Sequence, residues 1–364
     1  MRARNLIAAV VMAAFIVTAG VVDVVNPEFA FRLGAPAGQT VAPSSGYGFA
    51  SGLTSLSAAD LDQRLNDMKA TGVRWIRYDV SWASVQPDSA KTYNWADYDR
   101  VTKAARAHGF TVLMIIDFAP PWAAAKGCQD AALCAPADPL EYGKFAGIVA
   151  ARYKSYGVTD FEIWNEPNIN FRFEPSGNPA LYVRMLKDSY AAIKRVNAKA
   201  VVITGGTSPS GTSGGNYSPQ DFVSALYANG AGGWFDAVAA HPYTSPSTPS
   251  QATPDDAWGQ LTTVHNIMAQ HGDGSKQIWI TEFGAPTNGP NQPNDHVSEA
   301  VQAQIATEAV MLWRSYPWAG PMFWYDFQDD GVTTDTNENF YGLTRPDGSH
   351  KPAYDAFVTA TRQP

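Results

Sequence analysis

Two glutamates, each at the end of a short apolar run, are the residues of this 364-residue chain best suited to chemistry. Glu166 follows the run 161–165 and precedes Pro167, and Glu282 follows the run 277–281. Hydrolysis of a glycosidic bond with retention of configuration uses two carboxylates, one to protonate the leaving oxygen and one to attack the anomeric carbon. The sequence therefore predicts acid and nucleophile chemistry carried by Glu166 and Glu282.

The elements that must position these carboxylates alternate regularly along the chain. Apolar runs of strand type occupy residues 46–50, 75–80, 111–117, 161–164, 200–204, 235–239, 277–281 and 321–325. Amphipathic stretches of helix type occupy residues 58–70, 96–108, 139–155, 179–197, 219–229, 255–271, 297–315 and 351–361. This order predicts the α/β class and a single (β/α)8 TIM barrel over residues 46–364. Glu166 then follows the fourth strand and Glu282 the seventh, at the barrel end that carries catalytic groups.

The motifs around the two glutamates resemble those of a known group of enzymes. Asn165-Glu166-Pro167 after the fourth strand, with Thr281-Glu282 after the seventh, resembles the clan A retaining glycoside hydrolases, and families 5 and 39 among them. The similarity extends over about residues 46–362 and does not separate the two families. It implies that Glu166 is the acid/base and Glu282 the nucleophile.

The same resemblance implies roles for five further residues near strand ends. Arg77 would hydrogen-bond the nucleophile and lower its pKa, because a nearby cation favours the ionised carboxylate. Asn165 would bind the sugar 2-hydroxyl, His241 and Tyr243 would lie beside the nucleophile, and Trp324 would form the floor of the central sugar subsite. Each residue also has a structural interpretation: an ion pair for Arg77, a turn for Asn165, and core packing for the others.

Aromatic residues in the loops are candidates for further contacts with a sugar. Trp82, Trp122 and Phe171 are candidates for outer subsites, since sugar rings stack on aromatic faces, although each could equally pack against the protein core.

The expected reaction is cleavage of β-glycosidic bonds in an oligo- or polysaccharide, or in a cell-envelope glycan, with no metal and no organic cofactor. A catalytically inactive glycan-binding barrel remains the alternative. An ester hydrolase is disfavoured because the Ser/Gly-rich stretch 208–218 is predicted to be a loop and not the sharp strand-to-helix elbow that presents a serine nucleophile.

Charge and cysteine content narrow the partners and the compartment. The net charge of −8, without a Lys/Arg cluster, argues against a nucleic-acid partner. Cys128 and Cys134, close together in a polar loop, predict a disulfide of an exported protein, since a zinc site would need further ligands that the sequence does not supply. We expect the protein to act as a monomer.

The N-terminus carries the pattern of a membrane-directed segment. Arg2 and Arg4 precede a nearly unbroken apolar run from residue 6 to residue 22. Residues 1–22 are therefore predicted to be an export signal peptide or an uncleaved N-terminal membrane anchor, followed by a linker over 23–45. Both interpretations place the barrel outside the cytoplasm, secreted or anchored to a membrane.

Overall fold

The computed structural model describes residues 44–128, 133–290, 292 and 294–363. The predicted signal or anchor over 1–22, and the linker up to residue 43, lie outside the described residues. Among those that are described, no helix combines the length and apolar character needed to cross a membrane.

The architecture is a closed barrel of eight parallel strands in sequence order, in which β1 pairs with both β2 and β8. The strands are β1 (Tyr47–Ala50), β2 (Trp75–Ser81), β3 (Thr111–Asp117), β4 (Asp160–Ile163), β5 (Val201–Thr204), β6 (Ala237–Ala240), β7 (Gln277–Phe283) and β8 (Ala319–Trp324). The predicted single (β/α)8 barrel is confirmed. Strand β4 ends one residue earlier than predicted because Trp164 adopts a positive φ of 68°.

Helices surround the barrel and follow the predicted order. They are α1 (Ala58–Ala70), α2 (Trp82–Val85), α3 (Ala96–Ala107), α4 (Pro139–Tyr153), α5 (Pro179–Val196), α6 (Pro219–Ala228), α7 (Ala257–Gln270), α8 (Glu299–Ser315) and α9 (Pro352–Arg362). The short helix α2 was not predicted. It places Trp82 in the core, where its side chain is completely buried and stacks on Phe145 with ring centroids 5.5 Å apart. Trp82 therefore packs the core and does not line an outer subsite.

Polar caps fix where the chain turns from the site-bearing loops into three of the helices. Helices α4, α5 and α6 start after Asp138, Asn178 and Ser218, and the side chain of each cap accepts a hydrogen bond from a backbone N–H of the first turn. Each cap is followed by proline, which suits the first helical position because no partner is needed there for its missing N–H. The loops after β3, β4 and β5 thus have defined ends.

The interior of the barrel is filled by closely packed side chains. Inward-facing Trp75, Leu113, Trp279 and Phe323 fill its lower part, with the rings of Trp75 and Trp279 5.4 Å apart. Successive residues of a strand alternate between its two faces, so Arg77 is the next inward side chain on β2 above Trp75. Polar groups therefore start directly above an apolar floor.

We predict that Gly48→Ala destabilises the barrel. A Cβ at Gly48, which lies on β1, would lie 2.5 Å from the Trp75 carbonyl oxygen. Overpacking of this kind costs about 1–3 kcal/mol in the free energy of unfolding. Gly52→Ala is the matched control, because nothing lies within 4 Å of a Cβ there. Denaturant unfolding measures both variants, and equal stabilities would contradict the packing argument.

Candidate active site

The guanidinium of Arg77 joins three strand ends at the top of the barrel. It is 3% exposed and donates from Nε to Glu162 Oε2 at 2.6 Å and from Nη1 to Glu282 Oε1 at 2.6 Å. Its Nη2 donates to Asn165 Oδ1 at 3.0 Å. The structure thus brings Arg77 against the predicted nucleophile and against the residue before the predicted acid.

Glu162 is a charged residue of this cluster that the sequence analysis missed. Its side chain is completely buried, and its Oε1 accepts hydrogen bonds from the Gly206 N–H and the Thr281 hydroxyl, both at 2.9 Å. Buried carboxylates are tolerated where ion pairs and hydrogen bonds satisfy them. The signal in the sequence is an acidic residue inside the apolar run 161–164, on the inward face of β4.

The surroundings of Glu282 keep its carboxylate ionised. Burial alone would raise the pKa of Glu282, but the charges of His241 and Arg77 and the hydrogen bonds from Tyr243 and Arg77 outweigh it and lower the pKa to about 2. The Tyr243 hydroxyl donates to Glu282 Oε2 at 2.9 Å. Burial raises the pKa of Tyr243 well above its usual value, so Tyr243 retains the proton that it donates.

Glu166 has a different environment. It lies just beyond β4 with a positive φ of 47°, and its N–H donates to the Gly206 carbonyl at 3.1 Å. Its Oε1 lies 3.2 Å from His241 Nδ1, and its Oε2 lies 3.3 Å from Arg172 Nε. Sequence reasoning missed Arg172, which belongs to the loop after β4. A carboxylate oxygen of Glu166, one of Glu282 and a ring nitrogen of His241 all lie within 4.8 Å of one another.

His241 connects the two glutamates beneath the cleft. It is completely buried, its Nε2 lies 3.0 Å from Thr281 Oγ1, and its Nδ1 lies 3.6 Å from Glu282 Oε2. Burial would lower the pKa of His241, but the charges of Glu282 and Glu166 and the hydrogen bond to Glu166 raise it overall. The ring packs against Gly206, where a Cβ would come within 2.1 Å of Nε2, so this position requires glycine.

The structure corrects the expected aromatic floor. Trp324 is completely buried and faces outward, with its ring 5.9 Å from Phe357 of α9 and 6.0 Å from Phe283. It has no surface to offer a sugar. The next residue, Tyr325, packs against the barrel interior, is partly exposed, and donates its hydroxyl to Glu338 Oε2 at 3.1 Å. Tyr325 therefore occupies the inward position that was assigned to Trp324.

Two aromatic residues and a polar hollow lie around the cleft. Trp122 and Phe171, in the loops after β3 and β4, are 37% and 54% exposed and remain available to a ligand. Beside Tyr243 a hollow of about 320 Å³ lies between the loops after β5 and β6. The hydroxyls of Thr244 and Ser245, which line it, have no hydrogen-bond partner within the described part of the chain.

The predicted disulfide is present and closes part of the loop after β3, on this face of the barrel. Cys128 and Cys134 are bonded, with their Cα atoms 5.9 Å apart. The segment after Cys134 pairs with the loop after β4: the Ala135 N–H donates to the Glu174 carbonyl at 3.1 Å, and the Glu174 N–H donates to the Leu133 carbonyl at 3.0 Å. The disulfide loop therefore braces the loop that carries Arg172.

With this geometry established, comparisons with known proteins identify the family. A model described as cellulase (glycosyl hydrolase family 5) matches residues 42–318. The chain belongs to glycosyl hydrolase family 5. It is a glycosidase, and the resemblance to clan A is confirmed.

Solved structures share the fold of this family 5 glycosidase. A family 39 glycoside hydrolase from the gut symbiont Bacteroides cellulosilyticus WH2 is 24% identical with a TM-score of 0.71, and the match covers 88% of this chain but 64% of that one. A GH5_18 protein from Streptomyces cattleya, in complex with GlcNAc, is 19% identical with a TM-score of 0.68, covering 88% and 80%. An endo-β-1,4-glucanase from Xanthomonas axonopodis pv. citri is 16% identical with a TM-score of 0.61, covering 87% and 99%.

We predict that Tyr243→Phe moves the acid limb of the kcat/KM profile to higher pH. A hydrogen bond to the ionised form lowers a pKa, so removing it raises the pKa of Glu282 from about 2. The shift should be about one to two pH units, since a hydrogen bond to a charged group contributes about 1.5–3 kcal/mol and one unit corresponds to about 1.4 kcal/mol. Initial rates over the acid range, with circular dichroism to show that the protein stays folded, measure this shift.

Tyr93→Phe is the matched control, because Tyr93 is 41% exposed and lies before α3, away from the cluster. An acid limb that moves equally in both variants, or in neither, would show that Tyr243 does not set the ionisation of Glu282.

Proposed function

We propose that this family 5 glycosidase cleaves β-glycosidic bonds with net retention, using Glu282 as nucleophile and Glu166 as acid/base. The observation that carries the proposal is the approach of the two carboxylates, which place one oxygen each within 4.8 Å of the other and of His241. Retaining enzymes hold their carboxyl groups about 5–5.5 Å apart, whereas inverting enzymes need about 6.5–9.5 Å to admit a water molecule. The short separation supports retention.

In the first step, a Glu282 oxygen attacks the anomeric carbon while Glu166 gives its proton to the departing glycosidic oxygen. The bond between anomeric carbon and leaving oxygen breaks, and a glycosyl ester of Glu282 forms. In the second step, Glu166 takes a proton from water, and the water oxygen attacks the anomeric carbon and displaces Glu282. The low pKa of Glu282, about 2, suits both the attack and the departure.

Arg77 also defines what Asn165 can do. Because Arg77 donates to Asn165 Oδ1, the amide nitrogen of Asn165 is the group left to donate toward the cleft. A donor at this position beside the acid suits the sugar 2-hydroxyl, whose hydrogen bond strengthens in the transition state. We infer that Tyr325 supplies the aromatic contact beneath the same sugar.

We further infer that the substrate is an oligo- or polysaccharide or a cell-envelope glycan, since the hollow of about 320 Å³ beside Tyr243 offers room beyond one sugar. The disulfide between Cys128 and Cys134 favours an oxidising compartment, in agreement with export or anchoring through residues 1–22.

Azide rescue of two variants tests the proposed roles. Glu166→Ala and Glu282→Ala are incubated with activated aryl β-glycosides (xyloside, glucoside, galactoside and galactofuranoside) and sodium azide. Glu166→Ala should give the β-glycosyl azide, because azide attacks the glycosyl ester that still forms on Glu282. Glu282→Ala should give the α-glycosyl azide, because azide occupies the space of the missing carboxylate and attacks the anomeric carbon directly from that face. Proton NMR of the products distinguishes the two anomers.

Glu299→Ala is the control variant, since Glu299 lies in the first turn of α8. It should turn over the same substrate without azide. Release of the sugar with inverted configuration by the unmodified protein would overturn the retaining mechanism. Turnover that survives Glu282→Ala without azide would overturn the assignment of the nucleophile.

A further inference from the structure

Arg172 lies against the proposed acid/base without being hydrogen-bonded to it. The contact of 3.3 Å between Arg172 Nε and Glu166 Oε2 lacks hydrogen-bond alignment, and this Nε, although buried, has no hydrogen-bond partner among the described residues. A buried donor without an acceptor costs free energy, so the guanidinium gains by binding another anion.

The position of Arg172 is on the leaving-group side of the cleft. Glu166 Oε1 faces His241 and, through it, Glu282, whereas Oε2 faces Arg172. The anomeric carbon must lie against Glu282 and the glycosidic oxygen against Glu166. The leaving sugar therefore continues past Glu166, on the side away from the nucleophile, where Arg172 lies.

The backbone holds Arg172 and its neighbour in place, while their side chains remain accessible. Trp164 Nε1 donates to the Arg172 carbonyl at 2.8 Å, and Phe173 is completely buried. The Arg172 side chain is 36% exposed, and its guanidinium carbon lies 5.4 Å from the centre of the Phe171 ring, which is itself 54% exposed. An exposed aromatic ring can stack on a sugar ring, while the guanidinium beside it binds an anionic group of the same sugar.

We propose that Phe171 and Arg172 form a leaving-side subsite for a sugar that carries an anionic group: a carboxylate, a sulfate or a phosphate. The proposal rests on the retaining function proposed above. When such a sugar binds, its anion accepts hydrogen bonds from the guanidinium of Arg172, and Phe171 stacks on the sugar ring. The leaving group is thereby held with its glycosidic oxygen against Glu166.

The charges around the pair agree with an anion site at Arg172. Glu166 faces the His241 ring and the Glu282 carboxylate on its inner side and Arg172 on its outer side. Arg172 itself acts electrostatically on the carboxyl groups of Asp79, Asp117 and Glu338, at the ends of β2 and β3 and after β8. Burial raises the pKa of each of these three groups and favours its neutral form, and Arg172, unlike the completely buried His241, is partly exposed to an incoming anion.

A substrate-by-variant comparison tests the proposal. Phenyl, 3-carboxyphenyl, 3-sulfophenyl and 3-phosphophenyl β-glycosides of the best accepted sugar are given to the full chain and to Arg172→Gln and Arg172→Lys. Arg172→Gln should lower kcat/KM on the anionic glycosides about tenfold more than it lowers kcat/KM on the phenyl glycoside. The ratio between proteins cancels the intrinsic reactivity of each leaving group. Arg172→Lys should retain part of the preference.

The split between KM and kcat gives a second readout. A subsite that binds the anion of the leaving group predicts a higher KM on the anionic glycosides in Arg172→Gln, with KM on the uncharged phenyl glycoside unchanged. Arg184→Gln is the matched control, because Arg184 is exposed on α5. It should change neither the preference nor KM.

The outcomes separate this proposal from the proposed function. Equal losses on phenyl and anionic glycosides in Arg172→Gln, or an unchanged KM on the anionic glycosides, would overturn the anionic subsite while leaving a glycosidase that depends on Glu282. An effect confined to one of the three anions would support the subsite and identify its ligand. Absence of turnover on all glycosides by the unmodified protein would count against the proposed function itself.

Discussion

The active site depends on one buried cation, Arg77. Removing a guanidinium from water costs free energy unless acceptors surround it, and here Glu162, Glu282 and Asn165 fill that role. The same contacts hold these side chains in position relative to one another, because Glu162 belongs to β4, Asn165 follows β4 and Glu282 belongs to β7. The contacts that satisfy the buried charge of Arg77 are therefore the same contacts that hold the site residues in position.

The barrel makes this arrangement possible by closing the space below it. Trp75 and Trp279 fill the interior, so the next inward side chains on their strands lie directly above an apolar floor. In that low-polarity setting charges interact strongly, and the cations that face Glu282 outweigh the effect of burial on its pKa. A hydrated pore in the same place would screen these interactions.

Much of this could be predicted from the sequence, and the failures have physical causes. The eight strands and both glutamates followed from apolar runs and their ends. Trp324 was misplaced because a strand alternates its faces: Phe323 and Tyr325 point inward, so the residue between them must point outward. Arg172 was missed because a loop has no periodicity from which to infer its contacts, and its position depends on pairing with the distant disulfide loop.

The roles proposed for the two glutamates follow from where the backbone places them. Glu282 lies within β7, where neighbouring strands surround it with Arg77, His241 and Tyr243, and no substrate is needed to keep it ionised. Glu166 lies beyond β4 and has one face toward His241 and one toward a loop. The proposed nucleophile is thus preorganised by the barrel itself, whereas the proposed acid/base also faces a loop on the side where the leaving sugar would bind. Substrate selection can therefore change through the loops while the barrel and Glu282 remain constant.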